Sequence, residues 1–119
     1  MIKDLEGLEI YKKYTDLYYY EYMIIEKFPK FERDGLCFDI RNTTYKGLEE
    51  IIKAEKTYNK TERLKHLNNL DVHMKILKML VRISYKKKYI NSKNYKSWSI
   101  KITNVTNLLG GWIKSCLKQ

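Results

Sequence analysis

The chain has 119 residues, of which 44% are hydrophobic, and it contains one proline and five glycines. This length suits one domain with one hydrophobic core, and the hydrophobic content excludes a disordered chain. The scarcity of proline and glycine argues against a β-sandwich or barrel, whose many turns need these residues. We therefore expect a single domain over residues 1–119.

The net charge of +10 is unevenly distributed along the chain. Residues 1–60 contain eleven basic and twelve acidic residues, whereas residues 61–119 contain thirteen basic and two acidic ones, so the two halves carry −1 and +11. Such segregation indicates a polyanionic partner on one side of the domain. The alternative, charge that serves only solubility, requires no segregation.

Nothing in the sequence predicts export or insertion into a membrane. Residues 1–6 lack the apolar stretch of a signal peptide, and the longest uncharged run, 102–113, is too short and too polar to span a bilayer. Cys37 and Cys116 are the only cysteines, and we expect both to be reduced. These features predict a cytoplasmic protein without membrane contact.

Four segments with apolar residues at helical spacing follow one another and predict helices over about 3–27, 30–56, 62–86 and 93–117. Pro29 ends the first segment because proline disfavours the helical conformation in the residue before it. Short connections between helices of similar length favour an all-α, antiparallel up-down four-helix bundle.

Particular residues are assigned to the inner faces and ends of these helices. The first helix has a predicted apolar stripe, mostly of tyrosines, made of Tyr11, Tyr14, Tyr18, Tyr22 and Ile25, with Ile10, Leu17 and Ile24 beside it. The predicted inward face of the third helix is made of Leu67, Leu70, Met74, Leu77, Val81 and Tyr85. Small residues at Gly47 and Ala54 predict a close helix contact. Asn59 or Thr61 is the expected N-cap of the third helix and Ser92 that of the fourth, which we expect Gly110 and Gly111 to interrupt.

A stripe of cations on the third helix is the strongest functional signal. Lys75, Lys78, Arg82 and Lys86 are spaced three or four residues apart and therefore share one helix face. The predicted nucleic-acid-binding residues are these four together with Lys87, Lys88, Lys93, Lys96 and Lys101. Lysine-rich contacts of this kind bind phosphates with little base selectivity.

No pattern of catalytic residues is visible, and we expect no enzymatic activity. The sequence lacks a phosphate-binding loop, a nucleophile elbow and a zinc-protease motif. His66 and His73 are the only histidines, and we interpret them as surface or boundary residues. We therefore expect no metal and no cofactor.

Tyr18, Tyr19, Tyr20 and Tyr22 cannot all be covered by one thin bundle, which predicts self-association.

Three motifs carry a resemblance to a known family: KFPKFER at 27–33, INSKNY at 90–95 and LLGGWIKS at 108–115. Together they resemble the accessory variability determinant (Avd) proteins of bacterial diversity-generating retroelements, and the likeness covers nearly the whole chain. The resemblance implies a homopentameric ring of four-helix bundles with a basic surface. It also implies a non-catalytic accessory protein that binds RNA, or DNA, and a reverse transcriptase during mutagenic retrohoming.

Two alternatives remain open from the sequence. A more distant resemblance connects the chain to four-helix-bundle proteins encoded in intervening sequences of bacterial ribosomal RNA genes, which would act without a reverse transcriptase. A purely structural homo-oligomer is the other alternative, and it predicts no binding to nucleic acid at moderate salt.

Overall fold

The computed structural model describes the backbone from Ile2 to Gln119 and the side chains from residue 9 onward. Over this part of the chain it contains no strand and four long helices, which confirms the all-α prediction. The helices are α1 (Ile2–Ile25), α2 (Leu36–Lys56), α3 (Lys60–Lys86) and α4 (Ser92–Leu117), with a 3₁₀ turn at Lys30–Glu32 before α2. The prediction that residues 1–6 do not form a signal peptide falls on residues whose side chains are not described.

Helices that follow one another in the chain pack antiparallel. The Tyr14 hydroxyl donates to the Thr44 carbonyl at 2.7 Å, while Cys37, near the start of α2, contacts the Ile25 carbonyl at the end of α1. At the other end of the molecule, Lys60 donates to the Leu117 carbonyl at 3.2 Å and joins the start of α3 to the end of α4. The result is an up-down bundle that measures 46 × 25 × 19 Å.

The inner face of α1 differs from the predicted tyrosine stripe. Tyr14 is fully buried, but Tyr11 and Tyr22 are 42% and 55% exposed. Steps of four and three residues from Ile10 lead instead through Tyr14, Leu17, Glu21 and Ile24, and these positions form the buried face.

Close approach of α1 and α2 depends on Gly47, as the small-residue pattern predicted. A Cβ atom at this position would overlap the Tyr14 hydroxyl and also lie 3.3 Å from a methyl group of Leu70. Ala54, two turns further along α2, is fully buried too. Gly47 therefore leaves the space in which the bulky Tyr14 side chain lies between helices.

The ends of α2 are fixed by side chains from other segments. At its start, Glu32 Oε1 accepts a hydrogen bond from the Leu36 backbone N–H at 3.1 Å, and α2 therefore begins at Leu36 and not at residue 30. At its end, the buried Arg63 donates from Nε to the carbonyls of Ala54 and Thr57, at 2.9 and 2.8 Å. A cation at this end also complements the negative end of the helix dipole.

The α4 helix corrects two sequence predictions. Asn91 is its N-cap, accepting from the Asn94 N–H at 2.7 Å, and Ser92 is the first helical residue. Gly110 and Gly111 do not interrupt the helix, and a Cβ atom on either would meet nothing within 4 Å. The helix continues because Leu109 and Trp112, on either side of the glycines, are buried in the core and hold the backbone there.

Candidate nucleic-acid interface

The buried positions of α3 determine which of its residues face solvent. Asn59, one of the two predicted N-caps, accepts from the Glu62 N–H at 3.0 Å and starts the helix. The buried positions that follow are Arg63, Leu67, Leu70, Met74, Leu77, Val81 and Ser84. The predicted inward Tyr85 is 38% exposed, because Ser84 occupies the inner position at that level. The cations between these positions face solvent.

The four cations of the α3 stripe are exposed but not equivalent. Lys75 donates to Asp71 Oδ2 at 2.7 Å, so a neighbouring carboxylate partly neutralises its charge. Among the described residues, Lys78, Arg82 and Lys86 form no such ion pair. These three residues are therefore the part of the stripe with charge available to a phosphate backbone.

The stripe continues into the turn that ends α3. Lys88 adopts a left-handed conformation with φ of 65°, its N–H donates to the Tyr85 carbonyl, and the Tyr89 N–H donates to the Ser84 carbonyl. This pair of hydrogen bonds is a Schellman motif, in which the left-handed residue is most often glycine. Lys86, Lys87 and Lys88 thus lie, exposed, at the negative end of the α3 dipole.

The three predicted binding residues on α4 fall on two different sides of that helix. Lys93 and Lys96 are exposed. Lys101 is half-buried, and its Nζ lies 5.5 Å from the centroid of the Tyr20 ring on α1. The structure therefore turns Lys101 toward α1 and does not bring it together with the α3 stripe.

The tyrosines near the stripe are engaged with other side chains. Tyr85 and Tyr95 stack on each other with ring centroids 4.5 Å apart, joining α3 to α4. Tyr89 packs against Phe28 and donates to Glu32 Oε2 at 2.8 Å. Hydrogen bonds from the Leu36 N–H and the Tyr89 hydroxyl, and the nearby charge of Lys87, lower the pKa of Glu32.

Glu21 is a buried polar residue that the sequence analysis missed. Its side chain is 1% exposed and accepts a hydrogen bond at Oε2 from Trp98 Nε1 at 2.8 Å. Thr44 Oγ1 lies 2.5 Å from Glu21 Oε1 and 2.9 Å from the Ile40 carbonyl. A hydroxyl has one proton, so both contacts are hydrogen bonds only when Glu21 is protonated and donates to Thr44. Its place in the buried α1 pattern was the signal that could have identified it.

Neither a metal site nor a membrane-spanning helix is found in the described part of the chain. No group of three His, Cys, Asp or Glu side chains there is arranged to hold a metal ion. The half-buried His66 instead contacts Glu50 Oε1 through Nδ1 at 2.8 Å. None of the described helices is long and apolar enough to cross a bilayer.

Comparison with known proteins identifies the family. A search of curated proteins finds no match. The sequence profile of a family described as bAvd-like matches residues 8–116, from the first helix to the end of the fourth. This match covers most of the chain and includes all three motifs that carry the resemblance to accessory variability determinants. The chain belongs to the bAvd-like family.

Proposed function

We propose that this protein is a non-catalytic, cytoplasmic accessory protein of a diversity-generating retroelement that binds template RNA, or DNA, through α3. The observation that carries the proposal is the row formed by Lys78, Arg82 and Lys86, which is exposed and has no acidic partner among the described residues. Three exposed cations along one helix face can contact the phosphates of a nucleic-acid backbone.

A second part of the proposal concerns the protein partner. Membership of the bAvd-like family supports an accessory role, and we propose that the partner is the reverse transcriptase of the retroelement. In this scheme the accessory protein holds the template while the polymerase carries out the chemistry. A tagged pull-down from the native host should recover a reverse transcriptase with a defined non-coding RNA. Ribosomal RNA without a polymerase would favour the intervening-sequence alternative.

The nucleic-acid part is tested by neutralising the row on α3. We expect Lys78→Gln/Arg82→Gln/Lys86→Gln to weaken binding to a labelled single-stranded RNA without unfolding the bundle, because all three side chains are exposed. Loss of three phosphate contacts should reduce the slope of log K against log salt by about 2, at roughly 0.7 per contact. Fluorescence anisotropy over a salt series measures both quantities.

A matched control separates a local site from net charge. Lys46→Gln/Lys53→Gln/Lys56→Gln removes the same charge from exposed positions on α2, and both triple variants include lysines in the last turn of their helix. The control should bind RNA with nearly wild-type affinity and salt dependence. Equal weakening in the two variants would show that only the total charge matters.

We also propose that the protein assembles as a homopentameric ring, for which two exposed apolar surfaces offer support. One lies on α1 and α2 and includes Tyr11, Tyr45 and Ile52, which are 42%, 53% and 43% exposed. The other is the outward stripe of α3, made of Val72, Ile76, Met79 and Ile83. Two different apolar surfaces per chain suit the head-to-tail contacts from which closed rings are built.

The ring is tested with a charge placed in the α3 stripe. Ile76→Glu/Met79→Glu should convert an assembly of about five times 14.4 kDa into a 14.4 kDa monomer, as measured by light scattering after size-exclusion chromatography. Ile100→Glu is the control, since Ile100 is an apolar residue of α4 with similar exposure that belongs to neither surface. Unchanged assembly of the double variant would exclude the α3 stripe from the interface.

A further inference from the structure

A pocket lies at the end of the bundle where α1 gives way to α2, and none of its lining residues belongs to the cation row on α3. It has a volume of about 320 Å³, and the connection between the two helices forms much of its wall. Three cations line it: Lys30 from the 3₁₀ turn, Arg33 just after that turn, and Arg41 from the second turn of α2. The KFPKFER motif, to which the proposed function assigns no role, thus supplies two of these cations.

The lining of this pocket carries more positive than negative charge. Glu26 is the one acidic residue in its lining, against three cations. The ionic contacts among the described residues, Lys75 with Asp71 and His66 with Glu50, involve none of the pocket cations. A local excess of positive charge, within a half of the chain whose net charge is −1, points to an anionic ligand.

Arg41 is the innermost of the three cations. It is half-buried, and the positive charge of its guanidinium affects the pKa values of Cys37 and Tyr18. Burial raises the pKa values of the Cys37 thiol and the Tyr18 hydroxyl, and Arg41 opposes the increase in both. A guanidinium presents a planar set of N–H donors that matches the oxygens of a phosphate.

An aromatic ring lines the same pocket. Tyr22 is 55% exposed and stacks against Tyr18, with ring centroids 5.7 Å apart and an angle of 22° between the ring planes. Although Tyr18 stacks on the Tyr22 ring, more than half of the Tyr22 surface remains exposed. Stacking of a base on tyrosine, together with a nearby guanidinium, is a common way to hold a nucleotide.

From this combination we propose that the pocket binds one nucleoside monophosphate unit, with the base on Tyr22 and the phosphate at Arg33 and Arg41. The volume is near the lower limit for small-molecule sites and suits one nucleotide, not a longer segment of a strand. The unit has two sources, a free nucleotide or the 5′-phosphorylated end of a nucleic acid. The site is separate from the phosphate-binding row on α3.

The first experiment is a calorimetric titration with adenosine monophosphate. Arg33→Gln/Arg41→Gln should weaken binding at least tenfold, whereas Lys46→Gln/Lys53→Gln, which removes the same charge outside the pocket, should leave it unchanged. Tyr22→Leu should weaken binding severalfold and Tyr22→Phe should retain it, because phenylalanine keeps the ring. Equal weakening by both pairs of charge substitutions would overturn the proposal.

The second experiment distinguishes the two sources with oligonucleotides that carry either a 5′-phosphate or a 5′-hydroxyl. If the ligand is a strand end, the wild-type protein prefers the 5′-phosphorylated oligonucleotide, and Arg33→Gln/Arg41→Gln removes that preference. If it is a free nucleotide, adenosine monophosphate binds saturably and the oligonucleotides show no such preference. The proposal is wrong if the protein neither binds the nucleotide nor prefers the phosphorylated end.

The affinities for adenosine monophosphate and for long RNA show separately whether the pocket and the α3 row bind their ligands. Lys78→Gln/Arg82→Gln/Lys86→Gln should keep its affinity for adenosine monophosphate even where it has lost affinity for long RNA. Loss of both affinities in that variant would show that the pocket is not an independent site.

Discussion

Glu21 is a carboxylic acid buried in the hydrophobic core, where it meets Thr44 of α2 and Trp98 of α4. The carboxyl group is tolerated because two other helices supply its partners: Thr44 from α2, which also contacts the Ile40 carbonyl of the same helix, and Trp98 from α4. Burial raises its pKa to about 8, against which the hydrogen bonds from Thr44 and Trp98 act only partly. At neutral pH the core therefore contains a neutral carboxylic acid that links α1, α2 and α4.

This arrangement predicts a specific dependence of stability on pH. In the unfolded chain Glu21 ionises near pH 4.5, whereas in the folded protein it keeps its proton up to about pH 8. The stabilisation that the protonated Glu21 gives the fold is therefore fully present below pH 4.5 and declines as the pH rises from 4.5 to 8. Above pH 8 the free energy of unfolding should be lower by about 5 kcal/mol in all. Urea unfolding of the wild type at pH 5, 7 and 9 measures this decline.

The matched variant is Glu21→Gln, whose amide fits the same space and does not ionise. Its free energy of unfolding should fall less between pH 5 and pH 9 than that of the wild type, so that the variant gains relative stability as the pH rises. Parallel curves for the two proteins would show that Glu21 does not titrate in this range.

The sequence analysis did not identify Glu21, although the spacing of its apolar neighbours marks its position. The spacing from Tyr14 through Leu17 to Ile24 places residue 21 on the buried face, but a glutamate there is also compatible with a helix edge in solvent. Only the partners from α2 and α4, more than twenty residues away in sequence, make burial possible. Local patterns carry no information about such distant contacts.

At the scale of an element, some helix ends also follow from local sequence patterns and others do not. Asn59 was among the predicted caps, because an amide side chain before an apolar periodic segment is a local signal. At α4 the two adjacent polar residues Asn91 and Ser92 both fit the sequence pattern of an N-cap, and the structure has Asn91 at that position. The turn after α3 carried no glycine, and its left-handed residue could not be located from the sequence.

Lys88 in that turn leads to a prediction about stability. A left-handed conformation costs a residue with a side chain about 1–2 kcal/mol, a penalty that glycine avoids. Because glycine is also more flexible in the unfolded chain, Lys88→Gly should stabilise the protein by about 1 kcal/mol in thermal or urea unfolding.

The neighbouring substitution Lys87→Gly provides the comparison. It removes the same charge from the same turn, but Lys87 has a right-handed conformation with φ of −78°. This variant should therefore lose stability. A loss of equal size in both variants would contradict the assignment of the left-handed residue.

For the whole molecule, the sequence predicted the bundle and the exposed cation row. Long helical periods joined by short connections leave few other arrangements, and the outward face of α3 follows from its buried one. The side of α4 to which Lys101 belongs could not be deduced, since it depends on how that helix is rotated against α1. The pocket beside Arg41 was missed because its lining comes from α1, a turn and α2 together.

The uneven division of charge has a consequence for the rate of encounter. Residues 61–119, which form nearly all of α3 and the whole of α4, carry the entire positive excess, so the protein has a large electric dipole across the bundle. In the field of a polyanion such a molecule turns its basic side forward before the surfaces touch, which raises the association rate at low ionic strength. Salt should therefore slow the capture of a strand as well as weaken the final complex, because it screens the field that orients each approaching molecule.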